Sequence, residues 1–436
     1  MNYSVLKPMF EDKRAVILGF GREGRNWLDI LRGLGNCREI AVADINPLEL
    51  EIRNITPISG DNYLQICKDY DIILQSPGVV IKDAFDEETK KKVVSQTDLL
   101  MKLHPCKIIG VTGTKGKSTT ASLTYHFLKS SGIKTMLIGN IGIPPLQRLR
   151  EMDESTVVVC EMSCHQLEFA HNSPDIAVLL NIFPEHLDHY VSFEAYAQAK
   201  RNIVRYQTSE NIAFVNAELL PADGGGSIKT LAFGKQADIW TDGVDIFYFG
   251  EKVPSEKINT HLRGRHNLYN IAAALSAAVC AGADFEKCLE SLPLFRGLEH
   301  RLEYVATKNG VEYINDSIST IPEATVAAVE AFDKVDCLIL GGMDRGISYD
   351  SLGMFLNMGS VENVILLPDS GRRIAPLIKN RNVNVIKVDN MEEAVTFASR
   401  CASTRVVLSP AAASYGFYRN FEERGRDFKR LVNELK

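Results

Sequence analysis

Lys117 and Ser118 stand where a chain that handles a phosphoryl group needs a cation and a hydroxyl. Thr112, Gly113, Thr114, Lys115, Gly116, Lys117, Ser118 and Thr119 follow the apolar run Lys107–Val111 and precede the helix-like ASLTYHFLKSSG. A strand, a glycine turn and a helix N-terminus in that order aim backbone N–H groups at an anion, and the helix dipole adds to the attraction. From such a turn Lys117 reaches the terminal phosphates of a nucleotide, and the Ser118 hydroxyl ligates Mg²⁺. The strict phosphate-loop pattern wants its first glycine where this chain has Val111, and Gly110 stands one place early, so the segment is a variant. A glycine turn that binds nothing is the bland reading. Gly-Lys-Ser in a strand-to-helix setting favours a nucleoside triphosphate.

Further charged groups belong to the same region. Glu161 ends the apolar run Thr156–Glu161, where a phosphate-loop fold carries the acid that holds Mg²⁺ directly or through water. His186 follows the run Ile176–Ile182, and Lys200 lies in the helix-like FEAYAQAKRNI. Strand C-terminal ends line the ligand crevice of open parallel sheets, which is where His186 is expected. Taken singly, His186 and Lys200 read as surface or satisfied core groups.

Near the N-terminus, Gly19-Phe20-Gly21-Arg22-Glu23-Gly24 follows a strand-like run and opens a helix, and Asp44 ends the next strand-like run twenty residues beyond Gly24. That is the dinucleotide fingerprint with its acidic residue. Physically it specifies a diphosphate at a helix N-terminus and a sugar hydroxyl near a carboxylate. A nicotinamide dinucleotide and a UDP-sugar both satisfy it. The phosphate turn downstream, foreign to ordinary dehydrogenases, favours the UDP-sugar.

These residues need a scaffold. Strand-like AVILGFG, EIAVADI and YDIILQSPG come first, and residues 83–103 (DAFDEETKKKVVSQTDLLMKL) read as one charged helical stretch. TMLIG, TVVVCEMS and IAVLLNI follow, with a surface turn at Gly224-Gly225-Gly226. CLILGGMD, NVILLPD, VNVIKVD and RVVLSPA close the chain. The alternation predicts an α/β fold of three domains, each built on a mainly parallel sheet. They are a Rossmann-like domain over 1–100, a phosphate-loop domain over 101–299 and a second Rossmann-like domain over 300–436.

A length of 436 residues suits two to four domains rather than one core. A net charge of −6 argues against nucleic acid as the main partner. Nine cysteines, an odd count with no CxxC pair, fit a reducing compartment. The first residues, MNYSVLKPMFEDKR, contain no apolar h-region, and no run approaches the length of a membrane span. A cytoplasmic protein without a membrane partner is expected.

Nine segments occur in an order that resembles the Mur ligase family: GVTGTKGKSTT at 110–120, GNIG at 139–142, EMSCHQLE at 161–168, NIFPEHLDHY at 181–190, GRHNLYNIAAA at 264–274, LEHRLE at 298–303, NDSIST at 315–320, GGMDRG at 341–346 and LSPAAASYGFYRNFEERGRDF at 408–428. The match covers essentially the whole chain. It implies a cytoplasmic, monomeric, ATP-dependent carboxylate–amine ligase of peptidoglycan precursor synthesis. The short first domain and the final stretch are most similar to the branch that joins UDP-N-acetylmuramoyl-L-alanine to D-glutamate.

By that resemblance Ser118 and Glu161 hold one Mg²⁺, and His186 with Lys200 a second. An ammonium cannot ligate a cation, so Lys200 is expected as a carbamate, formed when the neutral amine adds CO₂. Asn267, Arg301 and Asp316 match positions that hold adenine, ribose or phosphate. Gly21, Arg22, Glu23, Gly24, Asp44, Ser76, Pro77 and Gly78 would hold uridine diphosphate, with Asn140 near the muramoyl arm. Thr320, Arg345, Ser414 and Phe421 match the incoming amino acid's pocket. Arg345 and Ile318 each stand where the family more often has Lys, and Cys164 and Pro184 are also off-pattern. Arg is bulkier than Lys and prefers a planar fork, which leaves the identity of the amino acid open. A related ligase adding another amino acid or glutamate stereoisomer, or acting on folate, would share the ATP motifs. GFGREG with Asp44 speaks against folate. The remaining alternative is a non-catalytic nucleotide-sugar-binding protein, against which Lys117, Ser118, Glu161, His186 and Lys200 all stand.

Overall fold

The computed structural model describes residues 3–48, 54–81, 84–141, 143–185, 189–262 and 264–435. His186, a candidate metal ligand, lies outside the described residues. Among those described, the strands assemble into three sheets covered by helices.

The first sheet holds β1 (Arg14–Leu18), β2 (Glu39–Asp44), β3 (Thr56–Ser59), β4 (Ile72–Gln75) and β5 (Val93–Val94), in the order β3-β2-β1-β4-β5. All its pairings are parallel. Ala15 to Leu18 are fully buried, as a central strand covered on both faces must be, so these positions are continuously apolar rather than alternating. The helix Arg22–Leu34 buries Trp27, Ile30 and Leu31 against it. That helix stops at Gly35, whose φ of 63° closes the last turn through an N–H donated to Leu31 O.

Residues 83–103 differ from expectation. The described part breaks into a short helix Glu87–Lys90, strand β5 and a helix Gln96–Leu103. Ser95 is the reason: its side chain accepts from Asp98 N and starts a new helix there. Val93 and Val94 just before it are β-branched and pair with Ile73 and Leu74.

The second sheet contains β6 (Lys107–Thr112), β7 (Thr135–Gly139), β8 (Val157–Glu161), β9 (Ile176–Leu179), β10 (Ile212–Asn216), β11 (Ser227–Phe233), β12 (Ile239–Thr241), β13 (Ile246–Tyr248) and β14 (Glu251–Val253). Its order is β14-β13-β12-β11-β10-β9-β6-β8-β7. β6 lies between β9 and β8, so the segment after it emerges between two parallel neighbours at the C-terminal ends of the strands. β12 to β14 form an antiparallel meander whose first turn carries Asp242-Gly243; Trp240 and Phe247 face each other across it with ring centroids 4.0 Å apart.

β15 (Glu303–Lys308), β16 (Val311–Asn315), β17 (Cys337–Gly342), β18 (Asn363–Asp369), β19 (Asn384–Lys387) and β20 (Arg405–Leu408) make the third sheet, ordered β15-β16-β20-β17-β18-β19. Only the β15–β16 hairpin is antiparallel among its described pairings. Residues 1–258 with 265–292 form one compact unit, and 259–264 with 293–436 a second. Among the described residues no helix is long and apolar enough to cross a membrane.

Candidate active site

The phosphate turn starts at Gly113. Gly110 belongs to β6 instead: a Cβ there would lie 2.7 Å from Pro174 Cγ and 3.0 Å from Met162 Cε. Its early position is therefore a packing requirement of the strand. Gly116 has φ of +87° and caps the helix Lys117–Ser130, which carries Ser118 and Thr119 in its first turn. Asn181 shapes the turn from the neighbouring strand end. Its backbone oxygen accepts from Thr114 N at 2.8 Å, its Oδ1 accepts from Lys115 N at 2.8 Å, and its Nδ2 donates to Lys115 O at 3.0 Å. The Lys115 ammonium pairs with Glu185 at 2.6 Å. Thr112 donates to Met162 O, and Thr114 shares a 2.8 Å hydrogen bond with the Tyr196 hydroxyl.

Two ammonium groups meet at one oxygen. Lys117 Nζ donates to Gly113 O at 2.9 Å and Thr114 O at 3.0 Å, and Lys200 Nζ donates to Gly113 O at 2.9 Å. Lys200 is only 1% exposed, and its ammonium lies over the Tyr196 ring at 4.9 Å. Burial, joined by the Lys117 charge, lowers its pKa to about 8. Burial lowers Lys117 as well, against the opposing pull of Glu161. Both effects have the same physical source: burial disfavours the charged form of each ammonium.

Glu161 ends β8 opposite Val111 and is fully buried. Asn140 donates to its Oε1 at 2.7 Å, while Oε2 is buried without a partner. An orphaned carboxylate oxygen is costly unless a cation or ligand takes it up, so this position suits a divalent metal. Asn140 thus touches the carboxylate of the expected Mg²⁺ site. Asn267, on the helix His266–Cys280, accepts from Asn270 Nδ2 at 2.8 Å. Asn270 in turn packs on the phosphate turn, where a Cβ at Gly116 would lie 2.4 Å from its Oδ1.

In the first sheet's crevice, Gly21, Arg22, Glu23, Asp44, Ser76, Pro77 and Gly78 line one cavity of about 650 Å³. Gly24 stands behind its wall, where a Cβ would lie 2.1 Å from Gly19 O. Ser76 Oγ donates to Gly19 O at 2.8 Å and ties the two loops together. Partial burial pushes the Asp44 carboxyl upward, but N–H donors from Phe20 and Asn46 outweigh it and hold its pKa below the ordinary value. Glu23 is the opposite case. Burial lifts it to about 7 against a hydrogen bond from Gln166, and its Oε2 is buried without a partner.

The second compact unit groups the other candidates. Arg345 Nη2 donates to Thr320 O at 3.0 Å, so two of the expected amino-acid contacts are neighbours. Phe421 begins the helix Phe421–Glu434, and its backbone oxygen accepts from Ser317 Oγ at 2.8 Å. Ser414 faces a separate small cavity of about 190 Å³ beside Gly342 and Arg424. Asp316 is 2% exposed, accepting from Leu302 N and Ser409 Oγ, and burial raises its pKa to about 6. Arg301 lies close enough for its charge to oppose that rise.

Sequence reasoning missed Asn181, Tyr196, Asn270 and Arg424. Tyr196 precedes Lys200 by four residues, a helical spacing that places both on one face. Arg424 is 1% exposed and clamps Ser317 to Ala412 through Nε, Nη1 and Nη2. For the two asparagines no local signal exists, since each serves a turn more than sixty residues away in the chain.

Known proteins resemble this chain in sequence and in fold. Residues 111–278 match the Mur ligase middle domain. The UDP-N-acetylmuramoylalanine–D-glutamate ligase of Clostridium botulinum (strain Langeland) is 32% identical, covering 100% of this chain and 99% of that protein. The enzyme of the same name from Geobacillus sp. (strain WCH70) is 34% identical over 98% of this chain and 99% of its own length. Among solved structures, the UDP-N-acetylmuramate-alanine ligase MurC of Thermotoga maritima superposes with a TM-score of 0.57 at 17% identity, covering 97% of this chain and all of that one. The MurF ligase of the same organism, solved in complex with ADP, gives 0.55 at 18% identity over 98% of this chain and 96% of its own. With relatives above 30% identity over their whole length, the chain belongs to the Mur ligase family.

Proposed function

We propose that this chain is an ATP-dependent ligase that joins UDP-N-acetylmuramoyl-L-alanine to D-glutamate in peptidoglycan precursor synthesis. The observation that carries the ATP chemistry is the convergence of Lys117 and Lys200 on Gly113 O at the phosphate turn. A carboxylate does not acylate an amine at neutral pH because oxide is too poor a leaving group. Transfer of the γ-phosphoryl group to the muramoyl-alanine carboxylate converts that oxygen into phosphate, and the glutamate amine displaces it. Lys117 moves from backbone carbonyls to β- and γ-phosphate oxygens, and the turn's N–H groups hold the remainder. Ser118 and Glu161 would hold Mg²⁺, which would supply further charge neutralisation there; the orphaned Glu161 oxygen supports that assignment.

Lys200 fits the metal only as a carbamate. Its pKa near 8 leaves an appreciable neutral fraction at neutral pH, which is the form that adds CO₂. The carbamate and His186 would hold a second Mg²⁺. Lys200→Ala is expected to lose nearly all activity, with acetate or formate partly restoring it and Lys200→Arg remaining inactive. An active Arg variant with no carboxylate rescue would exclude the carbamate.

The three segments divide the work: 1–100 takes uridine diphosphate, 101–299 takes ATP, and 300–436 takes glutamate through Thr320, Arg345, Ser414 and Phe421. Nucleotide contacts are assigned to Asn267, Arg301 and Asp316. The nucleotide substrates place the reaction in the cytoplasm, and one chain supplies every expected group, which makes a monomer sufficient. The test is direct. Incubation with UDP-N-acetylmuramoyl-L-alanine, ATP, Mg²⁺ and single amino acids should give the mass of the amide with D-glutamate. An amide formed only with another amino acid would overturn the glutamate assignment, and no amide with any would overturn the ligase.

A further inference from the structure

We propose that His165, Glu168 and His189 form a site for a zinc-class divalent ion, distinct from the magnesium positions of the phosphate turn. One ligand atom from each of the three lies within 4.8 Å of the others. His189 Nε2 and Glu168 Oε2 are already 2.9 Å apart, and the His165 and His189 ring centroids are 4.2 Å apart. Bonds of 2.0–2.1 Å to a tetrahedral ion put ligand atoms about 3.3 Å from one another. One edge of that figure therefore exists, and the third donor stands within 4.8 Å of both.

The surroundings hold the three donors in place. Ser163 caps the short helix Cys164–Leu167 in a reciprocal capping box with Gln166. Three positions apart in helical backbone, His165 and Glu168 share its face. The Tyr190 ring stacks parallel to His165 at 5.9 Å, and Asn202 Nδ2 pins the helix end at Leu167 O. Glu168 and Tyr190 also line a cavity of about 340 Å³, so the Glu168 side of the site borders open space. Two imidazole nitrogens and one carboxylate suit Zn²⁺, Co²⁺ or Ni²⁺, whereas Mg²⁺ prefers oxygen alone. Bound there, the ion would tie His189 to the helix that follows Glu161.

The test is equilibrium dialysis of the full chain against Zn²⁺ with a large excess of Mg²⁺, followed by metal analysis. One zinc per chain is expected. His165→Phe, which keeps a ring in the stack, and Glu168→Gln should each weaken retention on the order of a hundredfold, since loss of even an outer-shell partner costs tenfold or more. His186→Ala should retain zinc like the wild type. Zinc lost in His186→Ala but kept in His165→Phe would overturn the proposal by placing the ion on the magnesium site; so would no zinc retained by the wild type. Should either variant fail to melt cooperatively, the wild-type Co²⁺ spectrum decides. Intense visible bands of a four- or five-coordinate ion support the site, and the weak bands of an octahedral ion overturn it.

Discussion

Lys117 and Lys200 donate to the same carbonyl oxygen, which concentrates two positive charges at the phosphate turn. Removing the first cation should therefore cost transition-state charge stabilisation rather than fold. Lys117→Ala is expected to lower phosphate release by about a thousandfold or more with little change in melting temperature. A variant keeping a tenth of the wild-type rate would mean that the phosphates sit elsewhere. Lys200 gives a pH signature. With CO₂ removed, the folded chain releases this proton near pH 8 and the unfolded chain near the ordinary 10.5. Below pH 8 both states are protonated and the burial cost is fully present. Between pH 8 and 10.5 the unfolded state holds the extra proton, so stability rises with pH, by about 3 kcal/mol at most. Thermal melts of wild type against Lys200→Met should show that rise in the wild type alone.

At the scale of elements, Gly116 shows why the turn is built as it is. An alanine there would be forced into φ of +87° and would press on Asn270 Oδ1. Gly116→Ala should lose about 1–3 kcal/mol of stability and weaken ATP binding. Combining it with Asn270→Ala should recover the contact part but not the backbone part, as a double-mutant cycle would report. The first sheet's crevice carries a second expectation: uridine nucleotides compete with the acceptor substrate, and NAD(H) does not. Saturable NAD binding that Asp44 variants weaken would reverse the ligand assignment. Much of this architecture was legible because its signals are local. Glycine turns, an acid at a strand end and apolar runs each lie within one short segment. What stayed hidden was non-local or set by a single residue. Asn181 and Asn270 reach the phosphate turn from distant segments. The Ser95 cap splits what composition alone reads as one helix. Strands β12 to β14 are three residues each, too short for alternation to show, although Asp242-Gly243 marks their first turn.

Across the whole molecule, the cores divide differently from the sheets. Ala15 and Ile17 of β1, with Trp27, Leu99 and Leu100, belong to one continuous buried cluster with Ile108 of β6, Ile138 of β7 and Val158 of β8. The first two sheets therefore share apolar packing that neither has alone. In the third sheet successive residues of each strand point to opposite faces: Cys337, Ile339 and Val406 join one cluster, and Leu338, Leu340 and Val407 the other. Both faces are thus filled from within that unit. A fragment 293–436 should fold by itself and unfold in one cooperative urea transition, because 144 residues with two filled faces exceed the size at which a single core becomes marginal. It would lack 259–264, and with them the stacking of His261 on Tyr304 at 5.3 Å, a loss of about 1 kcal/mol. A fragment 1–103 should instead expose the Trp27 side of its sheet and give a broad transition with weak near-ultraviolet dichroism. A sharp transition for 1–103, or a broad one for 293–436, would show that the buried clusters do not set the folding units.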